Sequence, residues 1–164
     1  MDPAVFRRAL GCFATGVTVV TVPVEQPGGP GVHGMTANAF SSVSLEPPLV
    51  LVCVDRRART HELIQRSGLF GVSILRADQV EVSRHFAGQA RPAVASSLRY
   101  RWARDVPVLA DCLAYVACRL WASYDGGDHT IYVGQVTELG VDEDGEAALA
   151  FWRSRYYRLG EAIP

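Results

Sequence analysis

Runs of β-branched and aliphatic residues, broken by short clusters of glycine, proline and small polar residues, dominate this chain. Val17 to Val24 is the first run, and the Pro/Gly cluster from Gln26 to Gly31 interrupts it, which predicts a strand, an exposed loop and a returning strand. Leu49 to Val54 is continuously apolar and reads as a central strand covered on both faces. Further strands are expected over 69–75, 113–121, 131–139 and 147–152. Helical spacing occurs in three places. Asp2 can cap a helix with Pro3 as its first residue, and Phe6, Ala9, Leu10 and Phe13 share one face of residues 3–14. Residues 60–67 read as a short helix, and 77–87 as an amphipathic one capped by Asp78. Gly88 to Leu109 is mostly polar and irregular, and a connection of that length is expected to be functional or mobile, such as a lid.

Antiparallel strands decorated by short helices point to a mostly-β fold, and to a closed barrel, because closure removes the unpaired edges that an open sheet must protect. With 164 residues, 49% of them hydrophobic, the chain is expected to form one domain over 1–164. Its 16 basic and 17 acidic residues leave a net charge of -1, so there is no basic field to attract nucleic acid. No apolar run approaches the roughly 20 residues that cross a bilayer, and Met1-Asp2-Pro3 does not resemble a signal peptide. A soluble, cytoplasmic protein with no membrane partner is expected.

Composition also removes several chemistries. Cys12, Cys53, Cys112 and Cys118 contain no Cys-x-x-Cys pair and no histidine at ligand spacing, so no metal site is expected and the thiols read as small core residues. Every basic residue is arginine, which leaves no lysine for a Schiff base or a P-loop. Gly29-Pro30-Gly31-Val32-His33-Gly34 has Gly-x-Gly-x-x-Gly spacing but runs into the returning strand and opens no helix, so a Rossmann fingerprint is absent as well.

Three segments carry candidate chemistry. From Gly34 through Thr36-Ala37-Asn38-Ala39-Phe40-Ser41-Ser42-Val43 to Pro48, small hydroxyl and amide side chains separate two apolar runs, where an ordinary hairpin needs about two to five turn residues. Such backbone suits the polar edge of a ring ligand; the other reading is a Ser/Thr/Asn-rich loop. Arg56-Arg57-Ala58-Arg59-Thr60-His61 follows a strand and opens a helix, either as a phosphate cradle or as a solvated basic turn with Thr60 as its cap. Arg56 and Arg57 are expected to face water. Gly127-Asp128-His129-Thr130 lies at the mouth of the last long hairpin, where a histidine is by default a surface or cross-strand residue.

Taken together, Gly34 to Asp55 and Gly127-Asp128-His129-Thr130 closely resemble the short flavin reductases of two-component monooxygenase systems, and the resemblance covers nearly the whole chain. It implies an FMN-binding split β-barrel acting as a homodimer, with flavin near the subunit interface. It implies that Thr36, Ala37 and Asn38 meet the isoalloxazine or ribityl portion, that Ser41, Ser42 and Val43 continue along it, and that Cys53, Val54 and Asp55 line the next strand end. Arg59 and Thr60 would meet the phosphate. His129 would sit beside the exposed flavin face where nicotinamide docks, with Phe86 near the same face. Tyr156 lies in Phe151-Trp152-Arg153-Ser154-Arg155-Tyr156-Tyr157, where Ser154 replaces the usual glycine of the family and puts the local turn in question. The implied function is an NAD(P)H:flavin oxidoreductase, with NADH or NADPH as donor, FMN or FAD as acceptor and a monooxygenase as recipient. Alternatives are an enzyme of this fold that retains its flavin and acts on another small molecule, and a non-catalytic flavin-binding module. Hydride transfer depends on stacking and exclusion of water, which agrees with the lack of any Ser/His/Asp constellation.

Overall fold

The computed structural model describes residues 1–144, 147–160 and 162. Asp2 caps the first helix, α1 (Pro3–Leu10), by accepting from the Ala4 amide at 2.8 Å. The helix stops at Leu10 instead of reaching residue 14, because tight turns through Gly11 to Phe13 hand the chain to the short strand β1 (Thr15–Gly16). None of its residues is buried, and Phe13 is 77% exposed.

The expected hairpin follows as β2 (Thr18–Gln26) and β3 (Gly29–Ala37). Its connection is shorter than the Gln26–Gly31 cluster suggests. Gly28 and Gly29 take positive φ values of 103° and 131°, which closes the turn tightly. Then come β4 (Phe40–Leu45), β5 (Pro48–Asp55), α2 (Arg59–Ser67) and β6 (Leu69–Ile74). The region expected to be irregular holds a helix, α4 (Pro92–Ser97), after α3 (Val80–Phe86), and a hairpin, β7 (Tyr100–Ala103) with β8 (Val106–Leu109). All four residues of β8 are buried, but a run of four is too short to register as a strand beside so many polar neighbours. Two 13-residue strands, β9 (Ala114–Gly126) and β10 (His129–Val141), are longer than expected, and β11 (Leu149–Trp152) and β12 (Arg155–Arg158) close the described chain.

Seven strands form one antiparallel sheet in the order β3-β2-β6-β9-β10-β5-β4. The ladder does not close, contrary to the expectation of a closed barrel: β3 and β4 are its two edges. Yet the chain passes from one edge to the other through Asn38 and Ala39 alone, so the edges meet at that corner and the sheet curls into a split barrel. Val20, Val22, Val52, Val54, Phe70 and Tyr132 fill one part of the interior. Val17, Val19, Leu75, Val108 and Leu149 fill the other, beneath β8.

Two further expectations are corrected. The β5 strand lies next to an edge and buries only alternate residues, Val50, Val52 and Val54, while Leu49, Leu51 and Cys53 are half-buried. Its run looked continuous because the partly covered face is apolar too. Asp78 does not cap α3; it pairs with Arg76 at 3.1 Å, and Gln79 takes the cap position, its side chain bridging the Arg76 amide and the Asp111 carbonyl. The closing hairpin turns through Arg153 and Ser154, both with positive φ, 46° and 62°. The turn therefore forms with serine in the conformation that glycine or asparagine usually takes.

Candidate active site

The turn from β5 into α2 decides where a phosphate could sit. Asp55 accepts twice from the Arg57 guanidinium, at 3.1 and 2.7 Å, which holds the carboxyl far below the usual carboxylate range. Arg56 does not simply face water. Its guanidinium pairs with Asp125 at 2.8 Å and its amide donates to the Asp128 carbonyl at 3.1 Å, tying this turn to the β9–β10 turn. Among the described residues, no carboxylate lies within ion-pair distance of Arg59. The helix cap is Ala58, which has no side chain to bond the first-turn amides. Thr60, expected as a possible cap, is instead inside the helix, 1% exposed, with its hydroxyl 3.0 Å from His33 Nε2.

These residues open onto a cleft of about 460 Å³ whose walls include His33, Gly34, Arg59, Thr60, Phe86 and Tyr100. Gly34 has a steric reason. A Cβ there would lie 2.4 Å from the Phe86 ring, so only glycine lets that ring rest against β3. Burial first, and then the charge of Arg59, hold His33 below the usual histidine range.

The second group lies at the end of the β5–β10 ladder, where His129 sits opposite Asp55. His129 Nδ1 is 2.7 Å from Asp128 Oδ1; a carboxylate accepts, so Nδ1 carries the hydrogen, and in the neutral ring Nε2 is left as the acceptor. That bond, followed by the His129 charge, holds Asp128 below the usual carboxylate range. Asp125 accepts from the Gly127 amide at 2.9 Å and shapes the turn, with Gly127 at a φ of 79°. On β5, Cys53 is half-buried opposite Ile131. The Val54 side chain is in the core, and only its backbone can face a ligand.

The remaining sequence candidates are spread out. Asn38 is exposed at the corner between the sheet edges, in a groove of about 340 Å³ with Phe13, Thr15 and Phe40. Ala37 is buried, and its carbonyl accepts from the Thr18 hydroxyl. Thr36 donates to the Ser83 carbonyl at 2.6 Å, and Ser83 Oγ lies 2.9 Å from the Tyr156 hydroxyl, so both brace α3 against β3 and β12. Ser41, Ser42 and Val43 are exposed on the edge strand β4. The structure thus gathers Arg59, Thr60 and Phe86 in one cleft and Asp55 with His129 at one ladder end. Thr36 and Tyr156 meet around Ser83.

Sequence reasoning missed His33, His85 and Tyr100 as cleft-lining residues. The signal for His33 was present: a histidine immediately before Gly34. Among the described residues, no group of three metal-ligating side chains comes together. Cys112 and Cys118 are core residues, and burial pushes the Cys118 thiol up to about 12. Cys12 is exposed, against expectation, because α1 buries no face.

A family model described as flavin reductase like domain matches residues 10–160. The chain belongs to this family. A "NADH-dependent flavin reductase" from Rhodococcus sp is 48% identical over 147 residues, covering 87% of this chain and 82% of that protein. The reductase component of 4-hydroxyphenylacetate 3-monooxygenase from Thermus thermophilus is 42% identical over 154 residues, 94% of this chain and 95% of its own. Among solved structures, the Streptomyces globisporus NADH:FAD oxidoreductase SgcE6 in complex with NAD and FAD fragments superposes with a TM-score of 0.86 at 37% identity, covering 97% of this chain and 93% of that one. This flavin reductase-like domain carries the cleft beside Arg59 and Phe86 and, at the end of the β5–β10 ladder, the His129–Asp128 pair.

Proposed function

We propose that this chain is an NAD(P)H:flavin oxidoreductase that reduces FMN or FAD and releases reduced flavin to a separate monooxygenase. The observation that carries the proposal within the family is Arg59. It stands at the start of α2, which has no side-chain cap, and among the described residues it has no carboxylate partner, while Arg56 and Arg57 are both neutralised; it shares a cleft with the Phe86 ring. A guanidinium and free helix amides suit a phosphate, and an aromatic wall beside small backbone suits a flat ring.

When bound, the flavin supplies the hydride acceptor that no side chain here provides. Arg59 and the first amides of α2 would hold its phosphate, and Thr36, Ala37, Asn38, Ser41, Ser42, Val43, Cys53, Asp55 and the backbone of Val54 would line the ribityl chain and ring. Phe86 and Tyr156 close the apolar side against water. His129, oriented by Asp128, offers Nε2 as an acceptor that aligns the nicotinamide and moves no proton.

NADH is taken as the donor, since the Rhodococcus relative is named an NADH-dependent flavin reductase. The protein acts as one domain in a cytoplasmic homodimer. The open edge β4, with Leu45 91% exposed and Val43 beside it, supports a second copy at this end of the site. The test is steady-state NADH oxidation with and without added FMN, FAD or riboflavin. Flavin-dependent turnover is expected, and no oxidation with any flavin and either nucleotide refutes the proposal.

A further inference from the structure

His33 has no place in the function so far, yet it occupies the wall of the cleft between β3 and α2. Its Nε2 lies 3.0 Å from the Thr60 hydroxyl, and both side chains line the same space as Arg59. The titratable groups facing it are Arg59 from α2, His85 from α3 and Tyr100 from β7, while its neighbour across the β2 ladder is Val22; among the described residues, no carboxylate lines the cleft. His85 has its Nδ1 engaged, accepting from the Arg91 amide at 3.3 Å. With the protein's own groups alone, then, a half-buried imidazole faces a guanidinium and no carboxylate, which disfavours its charged form.

A phosphate dianion reverses this balance. We propose that His33 is a proton-linked member of the phosphate cradle: it takes a proton from solvent as the flavin phosphate seats, and its Nε2–H then donates to Thr60. A neutral imidazole can accept at Nε2 and hold the Thr60 hydroxyl hydrogen toward itself, whereas an imidazolium can only donate. Protonation therefore turns the Thr60 O–H outward, to donate to a phosphate oxygen. Arg59 and His33 together match the two charges of a phosphomonoester. This inference rests on the reading of Arg59 as the phosphate ligand, and it assigns His33 a share in telling FMN from riboflavin.

Linkage sets the sign of the effect. A group whose pKa rises on binding gives the complex its extra proton between the free and bound values, so affinity falls as pH rises through that window, by at most tenfold per pH unit. Above about pH 7 the phosphomonoester is already a dianion and adds no slope of its own. Calorimetric titration with FMN in two buffers of different ionisation enthalpy, from pH 7 to 8.5, reads both quantities. The wild-type protein should take up close to one proton per FMN where the slope is steepest and lose roughly threefold to tenfold in affinity across the range. Riboflavin should show neither effect.

His33→Gln keeps a polar group toward Thr60 but cannot titrate; it should abolish the uptake and flatten the pH profile. Unchanged uptake in H33Q overturns the inference, and so does loss of uptake in His85→Gln. Should H33Q not fold, the His33 ring resonance in the wild-type protein decides: its pKa must rise when FMN is added, and a constant or lower value overturns the inference. The underlying reading fails separately. If Arg59→Ala weakens FMN and riboflavin equally, the cleft does not hold the phosphate. If R59A is selective for FMN while H33Q keeps the wild-type slope, the phosphate reading stands and only the role of His33 is lost.

Discussion

Replacing Gly34 by alanine tests whether the Phe86 ring owes its place in the cleft to a missing methyl group. The added Cβ would lie 2.4 Å from Phe86 Cε1, 2.6 Å from Cδ1 and 3.2 Å from Cζ. Optimal carbon–carbon contact is about 3.5–4.0 Å, so the ring must retreat by roughly 1 Å. It has room only on its cleft side, because its other neighbours belong to the core beneath β8. Overpacking of this kind costs about 1–3 kcal/mol, which in a chain of this size lowers the melting temperature by roughly 2–12 °C. The displaced ring would also enter the space proposed for flavin, so flavin affinity should fall along with stability. Circular dichroism melts and a flavin titration measure the two effects. A double-mutant cycle identifies the cause: in the Phe86→Ala background, Gly34→Ala should cost less than about 0.5 kcal/mol. If alanine at position 34 is equally costly with and without the ring, the contact with Phe86 is not the reason for glycine.

Three other outcomes follow from the same geometry. Arg59→Ala should weaken FMN binding by about 1–3 kcal/mol and leave riboflavin binding nearly unchanged, measured by fluorescence titration. His129→Ala should leave flavin affinity intact and slow anaerobic flavin reduction in stopped flow, or raise the Michaelis constant for NADH, by a total of about 1–3 kcal/mol; lost flavin binding would make His129 part of the flavin pocket or of the fold. Ser154→Gly should stabilise the protein by about 0.5–1 kcal/mol, because glycine avoids a left-handed penalty of about 1–2 kcal/mol and forfeits part of that gain in unfolded-state entropy; a melting temperature that stays constant or falls refutes the strain at this turn.

Much of the barrel was legible because its strands carry their own patterns. The Val17–Val24 run, the Pro/Gly break and the apolar stretches around residues 50, 72 and 135 each marked a strand. The β5 strand shows the limit: a half-covered apolar face and a fully covered one read alike, and only the position next to the edge separates them. At the site, the segment from Gly34 and the Gly-Asp-His triplet stood out because both depend on local backbone: Gly34 lies on β3 against Phe86, and Gly127 and Asp128 form the β9–β10 turn. The fate of the arginines could not be read. Arg56 finds Asp125 and Arg57 finds Asp55, one across the sheet and one two residues away, and this pairing is what singles out Arg59. His33 and Thr60 are likewise brought together from 27 positions apart by the packing of α2 on β3.

The place of β5 in the sheet has a consequence for biosynthesis. Leu49 to Asp55 can pair early with β4, but its other neighbour is β10, and the Arg56 guanidinium must wait for Asp125. A ribosome that has emitted every residue of the cleft's phosphate end has still not delivered the strand that holds that end in place. The turn that carries Arg59 is therefore held at its β10 side and by Asp125 only after β9 and β10 have been made. A fragment ending before β9 should neither retain flavin nor gain protection from proteolysis in its presence, whereas the same fragment mixed with the missing β9–β12 segment has all the strands needed to rebuild the sheet.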